Sequence, residues 1–283
     1  MSAIHHVIKL GGDVLEGPAL AALVRSIADS AGKDARGVVV HGGGNQVTDL
    51  STRLGLTTNM VAGRRITDAA TLDVMKMVVA GRLNVDLCAA LQNAGVRAVG
   101  LHAGSGSIRA RRRPPRVMTG GGDAPIDFGL VGDVVGFDLG LLETLISAGH
   151  LPVLSCLGIE VTPGVDAQVA TTGQVLNLNA DLIASQLAAA AQADVLIAVT
   201  AVGGVRRDVA DPNSRIERLT AAEARAAIQD GTVKGGMIPK LEEALGALER
   251  GVRRVAIVAP DEIGAALSGA GGGKSVGTTL TVS

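Results

Sequence analysis

Lys9 lies in the run Val7-Ile8-Lys9-Leu10-Gly11-Gly12, and further on Val38-Val39-Val40-His41-Gly42-Gly43-Gly44 repeats the plan of an apolar stretch ending in glycines. An apolar β-branched run of this kind reads as a buried parallel strand. Glycines at its carboxyl end let backbone N–H groups approach an anion with no Cβ in the way. Each cluster alone is also what an ordinary strand-to-helix turn looks like. Two of them together, one carrying a lysine, point to the handling of phosphate.

Two further groups lie in the C-terminal half. Leu176-Asn177-Leu178-Asn179-Ala180-Asp181 alternates polar with apolar and then enters a helical stretch. Asn and Asp at a helix mouth are common caps, so at least one of Asn177, Asn179 and Asp181 is expected to be just that. Gly235-Gly236-Met237-Ile238-Pro239-Lys240 places a glycine pair before a helix whose first turn carries Lys240. The helix dipole disfavours a cation there, and an anionic ligand would relieve the cost.

The elements that must position these residues alternate along the chain. Strands are expected at His6–Leu10, Gly37–His41, Ala98–His102, Leu151–Leu154, Val195–Thr200 and Arg254–Val258. Helices are expected at Ala19–Ala31, Ala69–Ala94, Leu139–Ala148, Asp181–Ala191, Thr220–Gln229 and Ile238–Arg250. This is the pattern of a doubly wound, mostly parallel sheet, in which ligands sit beyond the carboxyl ends of the strands, where the glycines collect. At 283 residues the chain suffices for one large α/β domain or two smaller lobes, and no linker or repeat divides it.

Composition excludes several classes of function. Lys plus Arg number 26 against 27 for Asp plus Glu, a formal charge of -1, which argues against coating a polyanion. With no Trp or Tyr and only Phe128 and Phe137, a stacking platform for bases is nearly unavailable, so nucleic acid is not expected as a partner. Cys88 and Cys156 stand apart, with no CxxC and no histidine cluster, which predicts free thiols in a reducing compartment and no metal site. No leader-like segment opens the chain, and the alanine-rich run 180–193 is broken by Asp181, Ser185 and Gln192, so a cytoplasmic protein with no membrane span is expected.

Two segments break the alternation, Ile108–Phe137 and Val202–Ser214, the second a loop after a strand with Gly203-Gly204 and Asp211-Pro212-Asn213. Ile108–Phe137 holds Arg109, Arg111, Arg112, Arg113 and Arg116 with prolines and glycines, and reads as short hairpins: a lid over a substrate, or a solvated turn. Ser268-Gly269-Ala270-Gly271-Gly272-Gly273-Lys274-Ser275 imitates a P-loop, but the required first glycine is Ser268 and a strand pattern follows where a helix is needed. A hairpin leading into a final edge strand explains it better.

Taken in order, Ile8-Lys9-Leu10-Gly11-Gly12, Val40-His41-Gly42-Gly43-Gly44, Arg65-Ile66-Thr67-Asp68, Ala98-Val99-Gly100-Leu101, Asn177-Leu178-Asn179-Ala180-Asp181, Gly236-Met237-Ile238-Pro239-Lys240 and Gly277-Thr278 resemble the amino acid kinase superfamily. Within it they are similar to the branch that phosphorylates the side-chain carboxylate of N-acetyl-L-glutamate in arginine biosynthesis. The resemblance implies a three-layer α/β/α sandwich with a mostly parallel central sheet. Its N-terminal lobe, about 1–175, would bind the acyl-amino acid, and its C-terminal lobe, about 176–283, would bind MgATP. The ion would be held mainly by the nucleotide phosphates.

By the same resemblance Lys9 and Lys240 stabilise the transferring phosphoryl group, and Asp181 holds both ammonium groups. Gly11, Gly12, Val202, Gly203, Gly204, Gly235 and Gly236 would face the nucleotide. Gly43 and Gly44 would approach the acyl-amino acid, Arg65 would clamp its α-carboxylate and Asn177 would bond near its acetamido group. The family commonly has Asp where Ala201 stands. Other acyl-amino acids, such as N-acetyl-α-aminoadipate or a carrier-linked amino acid, and a weakly active regulatory homologue that binds the ligand, are the alternatives. Eight residues precede Lys9, too few for the helix that joins dimers into arginine-inhibited hexamers in some members, so a homodimer is expected.

Overall fold

The computed structural model describes residues 4–31, 36–61, 63–117, 124–162, 170–208, 211–234, 237–268 and 276–283. Gly235, Gly236 and the glycine-rich stretch 269–275 lie outside them. An eight-stranded sheet runs Arg218–Thr220, Thr278–Thr281, Arg254–Val258, Val195–Val199, His6–Leu10, Gly37–His41, Leu151–Ser155, Ala98–Leu101. All neighbours pair in parallel except Arg254–Val258 with Thr278–Thr281. His6–Leu10 is central, bounded by Gly37–His41 and Val195–Val199, and its residues alternate between the two faces. His6 and Ile8 line a cavity with Ile27, Ala28 and Leu267 on one side, while Lys9 lines another with Ala184, Lys240 and Ala244 on the other. The chain is therefore a three-layer α/β/α sandwich with helices on both faces, as expected.

Thr278–Thr281 departs from expectation. It is not an edge strand but is inserted between Arg218–Thr220 and Arg254–Val258. Its Thr278 hydroxyl donates to the Ile216 carbonyl (2.6 Å) and accepts from the Val205 N–H (2.8 Å), which ties the separate two-stranded pair of Val205–Arg206 and Arg215–Ile216 to it.

The arginine-bearing segment also differs from a lid. Ile108–Arg112 is a strand of a second, four-stranded sheet in the order Thr171–Asn177, Leu157–Val161, Ile108–Arg112, Gly132–Phe137. Arg111, Arg112 and Arg116 are exposed, whereas Arg113 turns inward and is buried.

The helical stretch expected at Ala69–Ala94 is continuous but not uniform. Ala69–Met75 and Asn84–Asn93 are α-helical, and Lys76–Leu83 between them is wound as a π-helix. The wider turn resets the phase of the helix, so that Leu72, Val74 and Met75 before it, Val78, Val79 and Leu83 within it and Asn84, Leu87 and Leu91 after it are all buried. Asp68 caps the run, its carboxylate accepting from the Thr71 N–H at 2.8 Å.

His41 ends the second strand fully buried. Its Nδ1 lies 2.9 Å from the Gly42 carbonyl and its Nε2 3.0 Å from the Asn84 amide nitrogen. A carbonyl can only accept, so Nδ1 carries the proton and Nε2 accepts from Asn84. Burial pushes the imidazole pKa down to about 4, against a smaller opposing effect of the Gly42 bond. The unfolded chain protonates this histidine near 6.5, so between 6.5 and 4 it binds the extra proton and stability falls as pH drops. The loss is of order 3 kcal/mol. Urea midpoints measured from pH 7 to pH 4.5 should decline accordingly, and His41→Gln should flatten that window; an unchanged slope in the variant would assign the decline to other groups.

Candidate active site

The two glycine clusters meet at the carboxyl ends of adjacent strands. A Cβ on Gly12 would lie 3.3 Å from the Gly43 Cα and 2.7 Å from Gln46 Oε1, and a Cβ on Gly43 would collide with Leu83. Gln46 fixes the approach by donating from Nε2 to the Gly12 carbonyl at 2.7 Å. Gly43 is the cap of the helix Gly44–Arg53, so the N-terminal amides of that helix open toward the space above the sheet.

A second helix points into the same space. Asn179 caps Ala180–Ala190, accepting from the N–H groups of Asp181 (2.8 Å) and Leu182 (3.0 Å). The capping role falls to Asn179 alone, which frees the Asp181 carboxylate to pair with the Lys9 ammonium. Lys9 and Asp181 side chains are only 16% and 24% exposed. Burial works against the charge on Lys9, yet Asp181, and to a smaller extent Glu243 and Asp13, more than offset it and hold its pKa above the ordinary lysine value.

The helix Met237–Glu249 brings Lys240 to this point. Lys9, Asp181, Lys240 and Glu243 line one small cavity of about 30 Å³, floored by Ala198, Leu196, Val255 and Ile257 of the sheet. Asp181 is also the wall of a larger cavity of about 270 Å³, lined among others by Gly42, Gly43, Gly44, Arg65 and Asn177. Arg65 donates from Nη2 to the Gly44 carbonyl (3.0 Å) and the Thr48 hydroxyl (2.7 Å), which aims its guanidinium across the mouth of the helix. Asn177 donates to the Thr67 hydroxyl at 2.9 Å.

Beyond Val195–Val199 the chain turns through Thr200-Ala201-Val202-Gly203-Gly204. Gly203 has φ +67, and a Cβ there would lie 2.9 Å from that of Ala259, so both conformation and space call for glycine. Its N–H donates to the Thr200 carbonyl and hydroxyl, each at 3.2 Å. Ala201 donates its N–H to Asp13 Oδ2 at 3.3 Å. A carboxylate thus reaches the Ala201 loop from the Gly11-Gly12 turn.

Lys9, Asp181 and Lys240 are therefore brought together, as are Gly43, Gly44, Arg65 and Asn177, with Asp181 common to both groups. Gly11 and Gly12 adjoin Gly43, and Asp13 links their turn to the loop of Val202, Gly203 and Gly204. Gly235 and Gly236 lie outside the described residues.

Sequence reading missed three charged members. Arg64 and Arg113 line the larger cavity, and Glu243 the smaller. Burial, then Arg113 and Arg116, depress the Arg64 pKa, which marks a crowd of cations at this mouth. Arg113 is 3% exposed and is anchored by Asp133, whose Oδ1 accepts from Nη2 (2.6 Å) and Nε (3.0 Å). Nothing in a run of five arginines singles out the inward one. Glu243 left a faint trace, since it follows Lys240 by three positions and shares its helix face.

A model of the amino acid kinase family matches residues 6–259. The chain is 54% identical over 275 residues to the acetylglutamate kinase of Sorangium cellulosum (strain So ce56), covering 97% of this chain and 93% of that one. It is 53% identical over 278 residues to the acetylglutamate kinase of Anaeromyxobacter dehalogenans (strain 2CP-1 / ATCC BAA-258), covering 97% of each. Among solved structures it is similar to N-acetylglutamate synthase from Neisseria gonorrhoeae complexed with coenzyme A and N-acetyl-glutamate, with a TM-score of 0.77 and 25% identity. That match covers 99% of this chain and spans 60% of the length of the synthase.

Removing the partner of a buried guanidinium leaves an uncompensated charge. Asp133→Ala should therefore cost about 2 kcal/mol, below the range for fully buried pairs because Asp133 is itself half-exposed. A urea midpoint within error of the parent protein would show that Arg113 finds another partner.

Proposed function

The chain belongs to the amino acid kinase family, and on that footing we propose that it transfers the terminal phosphoryl group of ATP to the side-chain carboxylate of N-acetyl-L-glutamate, a step of arginine biosynthesis. The observation that carries this reading is the pair of cavities sharing Asp181, one lined by two lysines and the other by glycine amides and an arginine.

The chemistry needs little beyond placement and charge. A side-chain carboxylate has a pKa near 4.3, so it is ionised at neutral pH and no general base is required. Its oxygen attacks the terminal phosphorus, the bond to the ADP oxygen breaks, and an acyl phosphate forms. An anionic nucleophile approaching an anionic phosphate is repelled. Preorganised cations and amide dipoles offset this as charge spreads over the equatorial oxygens.

In this reading Lys9 and Lys240 touch the transferring group, Asp181 holds their ammonium groups, and the amides of Gly11 and Gly12 face the phosphates. Gly43 and Gly44 cradle the reacting carboxylate, Arg65 takes the α-carboxylate through the guanidinium N–H groups that its bonds to Gly44 and Thr48 leave free, and Asn177 bonds near the acetamido group. The loop Val202-Gly203-Gly204, together with Gly235 and Gly236, borders the nucleotide. The N-terminal lobe, to about residue 175, would then supply most of the acyl-amino acid subsite and the remainder the nucleotide subsite.

Mg²⁺ fits this donor set as a companion of ATP. Asp181 is paired with Lys9 and Asp13 accepts from the Ala201 N–H, so phosphate oxygens would hold the ion, which when bound would supply charge neutralisation there. A cytoplasmic location is consistent with such a biosynthetic role; among the described residues no helix is long and apolar enough to cross a membrane. A homodimer is supported by the edge strand Ala98–Leu101 and by Met77 and Val85, 59% and 60% exposed on the helical run beside it.

Hydroxylamine trapping of the acyl phosphate with MgATP should give product with N-acetyl-L-glutamate and far less with free glutamate, whose α-ammonium cannot replace the acetamido group. Equal turnover of both would overturn the substrate assignment. Lys9→Ala and Lys240→Ala should each lower kcat by roughly 10² with much smaller changes in KM, because contacts made only in the transition state appear in kcat. Losses confined to KM would place the lysines on the ground state instead.

A further inference from the structure

We infer that Glu243 is a positioning residue, which carries the proton of a carboxyl pair shared with Asp181 and through that hydrogen bond holds Asp181 and its two lysines in register for phosphoryl transfer. The inference rests on the phosphotransfer reading above and assigns a role to a side chain which that reading leaves idle.

Glu243 lies one helical turn beyond Lys240 and lines the same cavity as Lys9 and Asp181. Its carboxyl faces that of Asp181 across this small cavity. Two carboxylates in such contact, mostly out of water, cannot both remain ionised, so the pair keeps one proton between them. Asp181 is already neutralised by Lys9, which leaves the proton on Glu243 as donor to the Asp181 oxygens.

The charged groups around Glu243 pull in opposite directions, and Arg64 acts on it from farther off. From its own helix comes Lys240, from Ala180–Ala190 Asp181, and from the central strand Lys9, while Asp13 lies beyond Lys9. The remaining walls are Ala184, Leu196, Ala198, Thr200, Ala244, Val255 and Ile257, which carry no charge. Burial first, and then Asp181, push the Glu243 pKa up to about 8, against the smaller pull of Lys9 and Lys240.

The arrangement has a consequence for charge. With Glu243 protonated, two ammonium groups face one carboxylate and the cavity presents a net positive charge to the phosphoryl group. Once Glu243 ionises, that charge is cancelled, and the new carboxylate competes for Lys240 and repels Asp181.

The test is the pH dependence of kcat/KM for N-acetyl-L-glutamate at saturating MgATP, since this ratio reports groups of the enzyme before that substrate binds. The parent enzyme should lose about tenfold between pH 7 and pH 9, as a group titrating near 8 requires. Glu243→Gln, which keeps a hydrogen-bond donor that cannot titrate, should lose this limb. Glu243→Ala, which keeps neither, should have a kcat at least about fivefold below that of Glu243→Gln.

A limb that persists in Glu243→Gln, a parent profile without one, or equal kcat in the two variants would overturn the inference. Carbon-13 spectra of glutamate-labelled protein without substrate give an independent readout. One side-chain carboxyl should titrate near pH 8 in the parent and vanish in Glu243→Gln, and titration of every glutamate in the ordinary range would overturn the shared proton. Failure of the hydroxylamine assay with this resonance intact would instead condemn the phosphotransfer reading.

Discussion

The ion pair between Lys9 and Asp181 is the constraint around which the rest is arranged. It joins the central strand of the sheet to the first turn of the helix Ala180–Ala190, elements far apart in the chain. An ammonium group on a buried strand is costly unless paired. Asp181 can serve only because Asn179 takes over the capping of its helix. The strand must also be the middle one, since only there can helices from both flanks and glycine turns from its neighbours close over a single side chain. Lys240 and Glu243 arrive on a helix packed against that same one.

Much of this was readable in advance. The strands His6–Leu10, Gly37–His41 and Arg254–Val258 end where apolar β-branched runs end, because a fully buried parallel strand has no other composition available to it. Lys9 was legible as a cation inside such a run. Its pairing with Asp181 was implied only by the family resemblance, because a carboxylate in the first turn of a helix is favoured there without any partner.

What stayed hidden depends on contacts across distance. Arg113 looks like its four neighbours until Asp133, twenty positions on, pulls it inward. The insertion of Thr278–Thr281 rests on backbone pairing with Arg218–Thr220 on one side and Arg254–Val258 on the other, and local pattern cannot show whether a short strand has one neighbour or two. The π-helical turn at Lys76–Leu83 is likewise invisible to periodicity, because the apolar residues on both sides of it remain compatible with an ordinary helix.

The wall between the two cavities is one carboxylate, and that has a thermodynamic consequence. Any anion that settles against the lysines on one side alters the field felt on the other, through the same Asp181. The free energy of that communication belongs to neither ligand. By linkage, whatever factor nucleotide occupancy imposes on the affinity for the acyl-amino acid is imposed equally in return. A substitution at this wall therefore acts on how the two ligands sense each other as well as on how each is held.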